Sequence, residues 1–151
     1  KTDPNTRVFQ YVYDGLGRLL EEKQPDIANP FTLVTKTTYT YTDIPNAISV
    51  KKSSYLDDTT IADNYTYFDG LGRKIQERAE AEDSSFSAKD YAYNNLGLLS
   101  KESLPYFSAG SGKTPATTDS ALYTNYTYDA IGRVVSATNV VGTASNSYDD
   151  W

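Results

Sequence analysis

Gly110-Ser-Gly-Lys-Thr114 ends as a phosphate-binding loop ends, with lysine and threonine placed to reach phosphate oxygens and magnesium. The full pattern also needs a glycine five residues before Gly112, where this chain has Phe107. It needs a helix afterwards, where this chain has Pro115. Nucleotide binding is therefore not expected. Asp14, Asp69 and Asp129 offer carboxylates that could hold calcium or act as general acids. Calcium needs several oxygens converging on one point, and the spacing supplies one carboxylate per segment. The simpler reading is that each caps its own turn through backbone N–H groups. Tyrosines recur in pairs: Tyr11/Tyr13, Tyr39/Tyr41, Tyr65/Tyr67, Tyr91/Tyr93 and Tyr126/Tyr128. A stripe of exposed rings could stack on sugars or bases. Recurrence in every segment fits cross-strand packing better, since a binding site seldom needs every copy equally. The chain has no His, Cys or Met, which removes the Ser-His-Asp triad, the thiol nucleophile and the usual zinc ligands together. No enzymatic activity, cofactor or metal is expected.

The elements that carry these residues are repeated. Four tyrosine pairs run into turns of one pattern: Asp14-Gly-Leu-Gly17, Asp69-Gly-Leu-Gly72, Asn94-Asn-Leu-Gly97 and Asp129-Ala-Ile-Gly132. Arginine follows three of them, as Arg18, Arg73 and Arg133. Each arginine can pair with the turn aspartate or lie on a tyrosine ring. The first tyrosines are spaced by 28, 26, 26 and 35 residues, the signature of an array built from one supersecondary unit. Aromatic residues alternate along each first strand with period 2. Asp or Asn at the first turn position and Gly at the fourth suit a type I turn whose glycine lies in the left-handed region, the usual three-residue hairpin loop. The second strands are expected at residues 18–23, 74–79, 98–103 and 133–138. Residues 76–83 have helical propensity, but their place after a hairpin turn makes them strand. The fold predicted is all-β, antiparallel β-hairpin repeats with about ten strands, a single array over residues 1–151. The second repeat has Asp43-Ile-Pro-Asn46 where its siblings have a glycine turn, so its geometry should differ. Phe68, an extra residue in the third repeat, reads as a β-bulge. The apolar third turn residues, Leu16, Leu71, Leu96 and Ile131, are expected to pack on a neighbouring repeat or a folded-over loop. Residues 107–119, rich in Gly, Ser, Thr and Pro, read as an inserted surface loop that should be dispensable. Asp57-Asp58 and Asp149-Asp150 read as solvated loop charges.

A net charge of -6 argues against nucleic acid, which needs clustered Lys and Arg. No apolar run approaches the roughly 20 residues of a membrane span. Asn64-Tyr-Thr66 and Asn125-Tyr-Thr127 match the N-glycosylation pattern, incidentally to their strands. The chain opens at Lys1 and ends at Tyr148-Asp-Asp-Trp151, which looks like another strand beginning, so it reads as a piece of something larger. Its unpaired edges should make the isolated fragment self-associate.

The repeated units, best seen in Tyr126-Thr-Tyr-Asp-Ala-Ile-Gly-Arg-Val134 and in residues 11–19, resemble the RHS, or YD, repeat family. The resemblance spans about residues 7–138. It implies a large antiparallel sheet spiralling into a hollow shell. In bacterial members, including the B/C components of insecticidal toxin complexes, that shell encloses a toxic C-terminal polypeptide, and teneurins use a similar shell in adhesion. The resemblance thus implies a structural wall segment of a secreted or cell-surface bacterial protein. Its partners would be neighbouring repeats and an enclosed C-terminal polypeptide. The alternative is a carbohydrate-binding or cell-surface-binding adhesion module that contacts glycans. The plug motif and self-cleaving aspartates of the bacterial family have no counterpart here, so no cleavage residue is expected.

Overall fold

The structure, a computed structural model, describes residues 7–57 and 59–148. Asp58 and residues 149–151, where charges and a further strand were expected, lie outside the described residues. Twelve antiparallel strands form, with two short 3-10 turns and no α-helix among the described residues. The chain divides into two compact units, residues 1–66 and 67–151, and passes from one to the other within a single strand.

The first unit holds β1 (Gln10–Tyr13), β2 (Leu19–Pro25), β3 (Leu33–Thr42), β4 (Ser49–Tyr55) and most of β5 (Ile61–Phe68). Successive strands pair as neighbours, with Tyr11 opposite Glu22, Glu22 opposite Thr37, and Tyr39 opposite Lys52. The unit is thin. Thr37 is its one buried residue among those described. Ladder hydrogen bonds and half-buried side chains therefore hold it, rather than a dense apolar core.

The second unit continues with β6 (Lys74–Glu80), β7 (Ser85–Tyr93), β8 (Leu99–Ser103), β9 (Tyr106–Ala109), β10 (Tyr123–Tyr128), β11 (Val134–Asn139) and β12 (Gly142–Ser145). Residues 76–80 are strand, as their place after the turn dictates, and a 3-10 turn at Glu82–Ser84 ends the segment. The sheet forks along β7. Its first half pairs with β9, Phe86 opposite Ser108, and its second half with β8, Tyr91 opposite Glu102. β10 then pairs with β8. At the fork the Asp90 N–H donates to Ser103 Oγ at 2.9 Å.

The hairpin turns follow their sequence. Asp14 N–H donates to Arg18 O and Gly17 N–H to Asp14 O, and the other three glycine turns repeat both bonds. The register shifts by one residue at Tyr13, Tyr93 and Tyr128, the bulge the turn type carries. The turn glycines Gly17, Gly72, Gly97 and Gly132 have φ of 76–85°. In the second repeat Asn46 takes the positive φ, 64°, and the turn closes by Ala47 N–H to Ile44 O. A branched side chain at a positive φ costs about 1–2 kcal/mol. Gly17→Val and Gly132→Val should each carry this cost, and the Cβ added at Gly132 meets Leu98 Cδ1 only at an ordinary contact distance of 3.6 Å. Lys113→Ala, on the exposed loop, should leave the denaturation midpoint unchanged. Equal urea midpoints for Gly132→Val and Lys113→Ala would contradict the turn assignment.

Three expectations are corrected. The apolar turn tips do not pack: Leu16, Leu71 and Leu96 are 78–79% exposed and Ile131 76%. Phe68 acts through phase. It takes the place directly before the turn that Tyr13, Tyr93 and Tyr128 hold in the other repeats. Side chains alternate along a strand, so Tyr67 falls on the opposite face. Asp57 is an exposed loop charge, as expected, and it also caps its own turn: the N–H groups of Thr59 and Thr60 and the Thr59 hydroxyl donate to it, holding its pKa down at about 2. Finally, Phe107–Ala109 of the expected loop belong to β9. The remainder, Gly110–Asp119, is a strap, largely exposed outside but tied down from within.

The ties are polar and buried. Arg78, 1% exposed, donates through Nη2 to Ala109 O at 2.9 Å and Gly110 O at 2.6 Å, and through Nη1 to Thr114 Oγ1 at 2.9 Å. Gln76 accepts the Thr114 N–H at 3.0 Å and donates to Asp90 Oδ1 at 2.7 Å. Asp90 Oδ2 takes the Tyr106 hydroxyl and the Thr117 N–H, both at 2.8 Å. Tyr67 closes the first end with its hydroxyl on Ser111 O at 2.6 Å, and Tyr123 the other on Thr117 O at 3.0 Å. No buried side-chain polar atom in the described residues lacks a partner. Such a network is stabilising because every member is satisfied. Thr114, the last residue of the phosphate-loop-like stretch, is spent here, and Pro115 follows it without a helix.

Candidate functional site, the joint between hairpins

The recurring constellation lies where the second strand of one hairpin meets the first strand of the next. In the first unit β2 meets β3. Asp14 Oδ1 accepts the N–H groups of Leu16 and Arg18, both at 2.9 Å, and its Oδ2 accepts Arg18 Nε at 2.7 Å. The turn carboxylate is thus consumed within its own turn. It holds the guanidinium over the Tyr41 ring, with its carbon 4.3 Å from the centroid. The Tyr41 hydroxyl donates to Leu19 O at 2.8 Å, and the Tyr39 hydroxyl to Glu22 Oε1 at 3.2 Å. Arg18 Nη1 also reaches Asp43 at 2.7 Å.

The second unit repeats the joint three times. Where β6 meets β7, Arg73 is held by Asp69 and lies 4.6 Å from the Tyr93 centroid. Tyr93 donates to Lys74 O at 2.8 Å and Tyr91 to Glu77 Oε2 at 2.6 Å. Where β8 meets β10, Tyr128 donates to Leu99 O at 2.7 Å and Tyr126 to Glu102 Oε1 at 2.6 Å. Leu98 stands in the arginine's place there, with Gly97 completing the turn before it. Where β11 meets β12, Arg133 is held by Asp129 and lies 4.2 Å from the Tyr148 ring, whose hydroxyl donates to Val134 O at 2.9 Å. Tyr148 is therefore a second-tyrosine position that has Asn146 in place of the first.

In all four joints the second tyrosine takes the carbonyl just after the arginine's place, and in three of them it also lies under the arginine itself. Where a first tyrosine is present, in three of the four joints, it takes a glutamate four residues after the arginine's place. The glutamate's register partner is always two residues before the tyrosine: Thr37, Lys89 and Thr124 precede Tyr39, Tyr91 and Tyr126. The contact is the diagonal cross-strand pair. Lysines reinforce it. Lys74 bonds Glu77 and lies 4.3 Å from the Tyr91 centroid, and Lys89 bonds Glu102.

The electrostatics follow from these bonds. Asp14 is held below the usual carboxylate pKa, first by the Arg18 N–H and then by its guanidinium. At Asp69 and Asp129 burial opposes ionisation, and the bonds from Arg73 and Arg133 more than offset it. At Glu77 and Glu102 burial likewise opposes ionisation and is outweighed, first by their lysines and then by their tyrosine hydroxyls. The tyrosines move the other way. Burial and then Glu77 raise Tyr91, and the Glu102 bond and then burial push Tyr126 up to about 12.

Of the residues singled out in the sequence, these joints gather Tyr39, Tyr41, Tyr91, Tyr93, Tyr126 and Tyr128 with the turn aspartates, glycines and arginines. Tyr65 and Tyr67 stand apart. Tyr65 lies against Lys51 and Asp63, and Lys51 projects from the β4 face opposite Tyr39. Among the described residues Tyr11 and Tyr13 enter no joint. Glu22, Glu77 and Glu102 were missed, although their fixed distance from the arginine's place is visible once the repeats are aligned. Among the described residues no three acidic side chains converge where a metal could sit. No helix of the described residues is long and apolar enough to cross a membrane.

This geometry defines a class: an antiparallel β-hairpin repeat protein with a stereotyped inter-repeat joint. The chain belongs to the family DUF6443, a domain of unknown function, whose profile matches residues 37–149. No curated protein matches the chain.

Proposed function

We propose that the chain is a wall segment of an RHS-type shell, a structural repeat array that encloses a C-terminal polypeptide in a large secreted or surface bacterial protein. It would have no catalytic activity of its own. The observation that carries this reading is the joint. Its tyrosine hydroxyls, turn carboxylates and guanidinium planes are spent on holding one hairpin to the next. A side chain so engaged is poorly placed to bind a ligand, and well placed to propagate a sheet by nearest-neighbour contacts. The strap supports the same reading, because a wall gains from a face covered by its own chain.

Limited proteolysis of the whole gene product tests it. The enclosed segment should survive while the wall is intact, and be cut when Arg73→Ala and Glu77→Ala together loosen a joint. A C-terminal segment cut at the same rate in both proteins would refute containment. The adhesion alternative draws on the exposed rings of Tyr11 and Tyr13. Binding on a glycan array that is lost with Tyr13→Ala would favour it.

A further inference from the structure

Tyr11 and Tyr13 have the sequence, turn and strand of a joint tyrosine pair, but not its contacts. They are 40% and 57% exposed, whereas Tyr39, Tyr41, Tyr91, Tyr93, Tyr126 and Tyr128 are half-buried. Among the described residues their hydroxyls donate no hydrogen bond. β1 pairs on one side with β2, and its other edge has no strand partner among the described residues. We infer that the free edge of β1, with Tyr11 and Tyr13, is a docking surface for a β-hairpin whose second strand carries arginine at the turn exit and glutamate four residues later. The inference deepens the array reading and rests on it.

The partner's chemistry comes from the joints already described. Each first strand whose tyrosine pair is satisfied lies beside a second strand that supplies a carbonyl one residue past the arginine's place. Each such second strand also supplies a glutamate four residues past it. The register is fixed as well. The incoming glutamate must stand opposite Phe9, which precedes Tyr11 as Thr37 precedes Tyr39. Its arginine then lies over the Tyr13 ring. Main-chain bonds along the edge would supply affinity and these side chains the specificity, as in β-strand addition. A second copy of this chain is poorly suited. Its last strand, β12, is of the first-strand type and carries no turn arginine at its start.

The test adds the partner in cis. A second copy of residues 10–32 is fused ahead of residue 5, which places the copied arginine as far from Tyr13 as Arg18 is from Tyr41. Amide exchange at residues 10–13 should slow about tenfold or more, the scale of a formed edge with one cation–π contact and one diagonal pair. In a control fusion, Arg18→Leu and Glu22→Leu are made in the copied segment only. That control should lose most of the protection while the rest of the chain exchanges as before. Equal protection in the two fusions would overturn the specificity, and no protection in either would overturn the docking surface. A dimer of the unfused chain that dissociates on Tyr13→Ala would place a second copy on this edge and overturn the assignment. Proteolysis of the whole gene product reads containment, so the two proposals can fail separately.

Discussion

Arg78→Ala is expected to lower the unfolding free energy by about 3 kcal/mol and to release the strap. Arg78 is 1% exposed, and its guanidinium meets two carbonyl oxygens and a hydroxyl at 2.6–3.1 Å. Truncation leaves those acceptors facing a space from which water is largely excluded, at about 1–3 kcal/mol for each unsatisfied group. It also removes the side chain's packing against Phe86, whose ring lies 5.7 Å from the guanidinium carbon. Typical domains are stable by about 5–15 kcal/mol, so this single change consumes much of the margin. Arg78→Lys should recover only part, because a point charge cannot fork two carbonyls. Urea denaturation gives the magnitude, and amide exchange at residues 110–117 gives the location. An Arg78→Ala protein as stable as the parent, with those amides still protected, would show that the strap is held otherwise.

That expectation reverses what the loop's composition suggests. Gly, Ser, Thr and Pro announce an exposed insertion, and the outer side of the strap is one. The anchors lie elsewhere, in Gln76 and Arg78 of β6 and in Asp90 of β7. Strand alternation reveals that Gln76 and Arg78 share a face, but not that the face will be covered. The covering depends on β9 folding back onto the first half of β7, a pairing between residues about 20 apart with no local signature. The hairpins were legible for the opposite reason. Aspartate, glycine and alternating aromatics act within a few residues of one another, and local chemistry determines the result. The tips misled because burial was inferred from residue type alone, and all four lie largely exposed. Phe68 misled because one added residue can be absorbed in two ways. A bulge preserves the facing of what precedes it, and a change of phase does not. Tyr67, bonded to the strap rather than to a joint, marks the second outcome.

Alkaline conditions are expected to dismantle the fold well before any comparable loss on the mildly acidic side. Burial, aided in most cases by a neighbouring carboxylate, raises the pKa of Tyr39, Tyr91, Tyr93, Tyr106 and Tyr123. At Tyr126 the Glu102 bond leads and burial adds to it. Tyr106 and Tyr126 are each pushed up to about 12, against about 10 for an unfolded tyrosine. A raised pKa means that the folded state holds the proton more tightly. The stabilisation is therefore fully present below pH ~10 and is lost as pH rises through about 12. The chemistry agrees with the sign: tyrosinate cannot donate to Glu102 or Asp90, and its charge repels them. Because several joints and the strap share this dependence, the urea midpoint should fall steeply across that window. Tyr126→Phe isolates one term. At neutral pH it removes a hydrogen bond to a charged group, worth about 1.5–3 kcal/mol. Near pH 12 the parent has lost that bond too, so the difference between parent and variant should shrink toward zero. Denaturation of both proteins across this range, with tyrosinate absorbance followed in parallel, reads the effect directly. A cost for Tyr126→Phe that stays constant from neutral pH to pH 12 would mean that its hydroxyl is not bonded to Glu102. The joint would then be held by ring packing and the ladder alone.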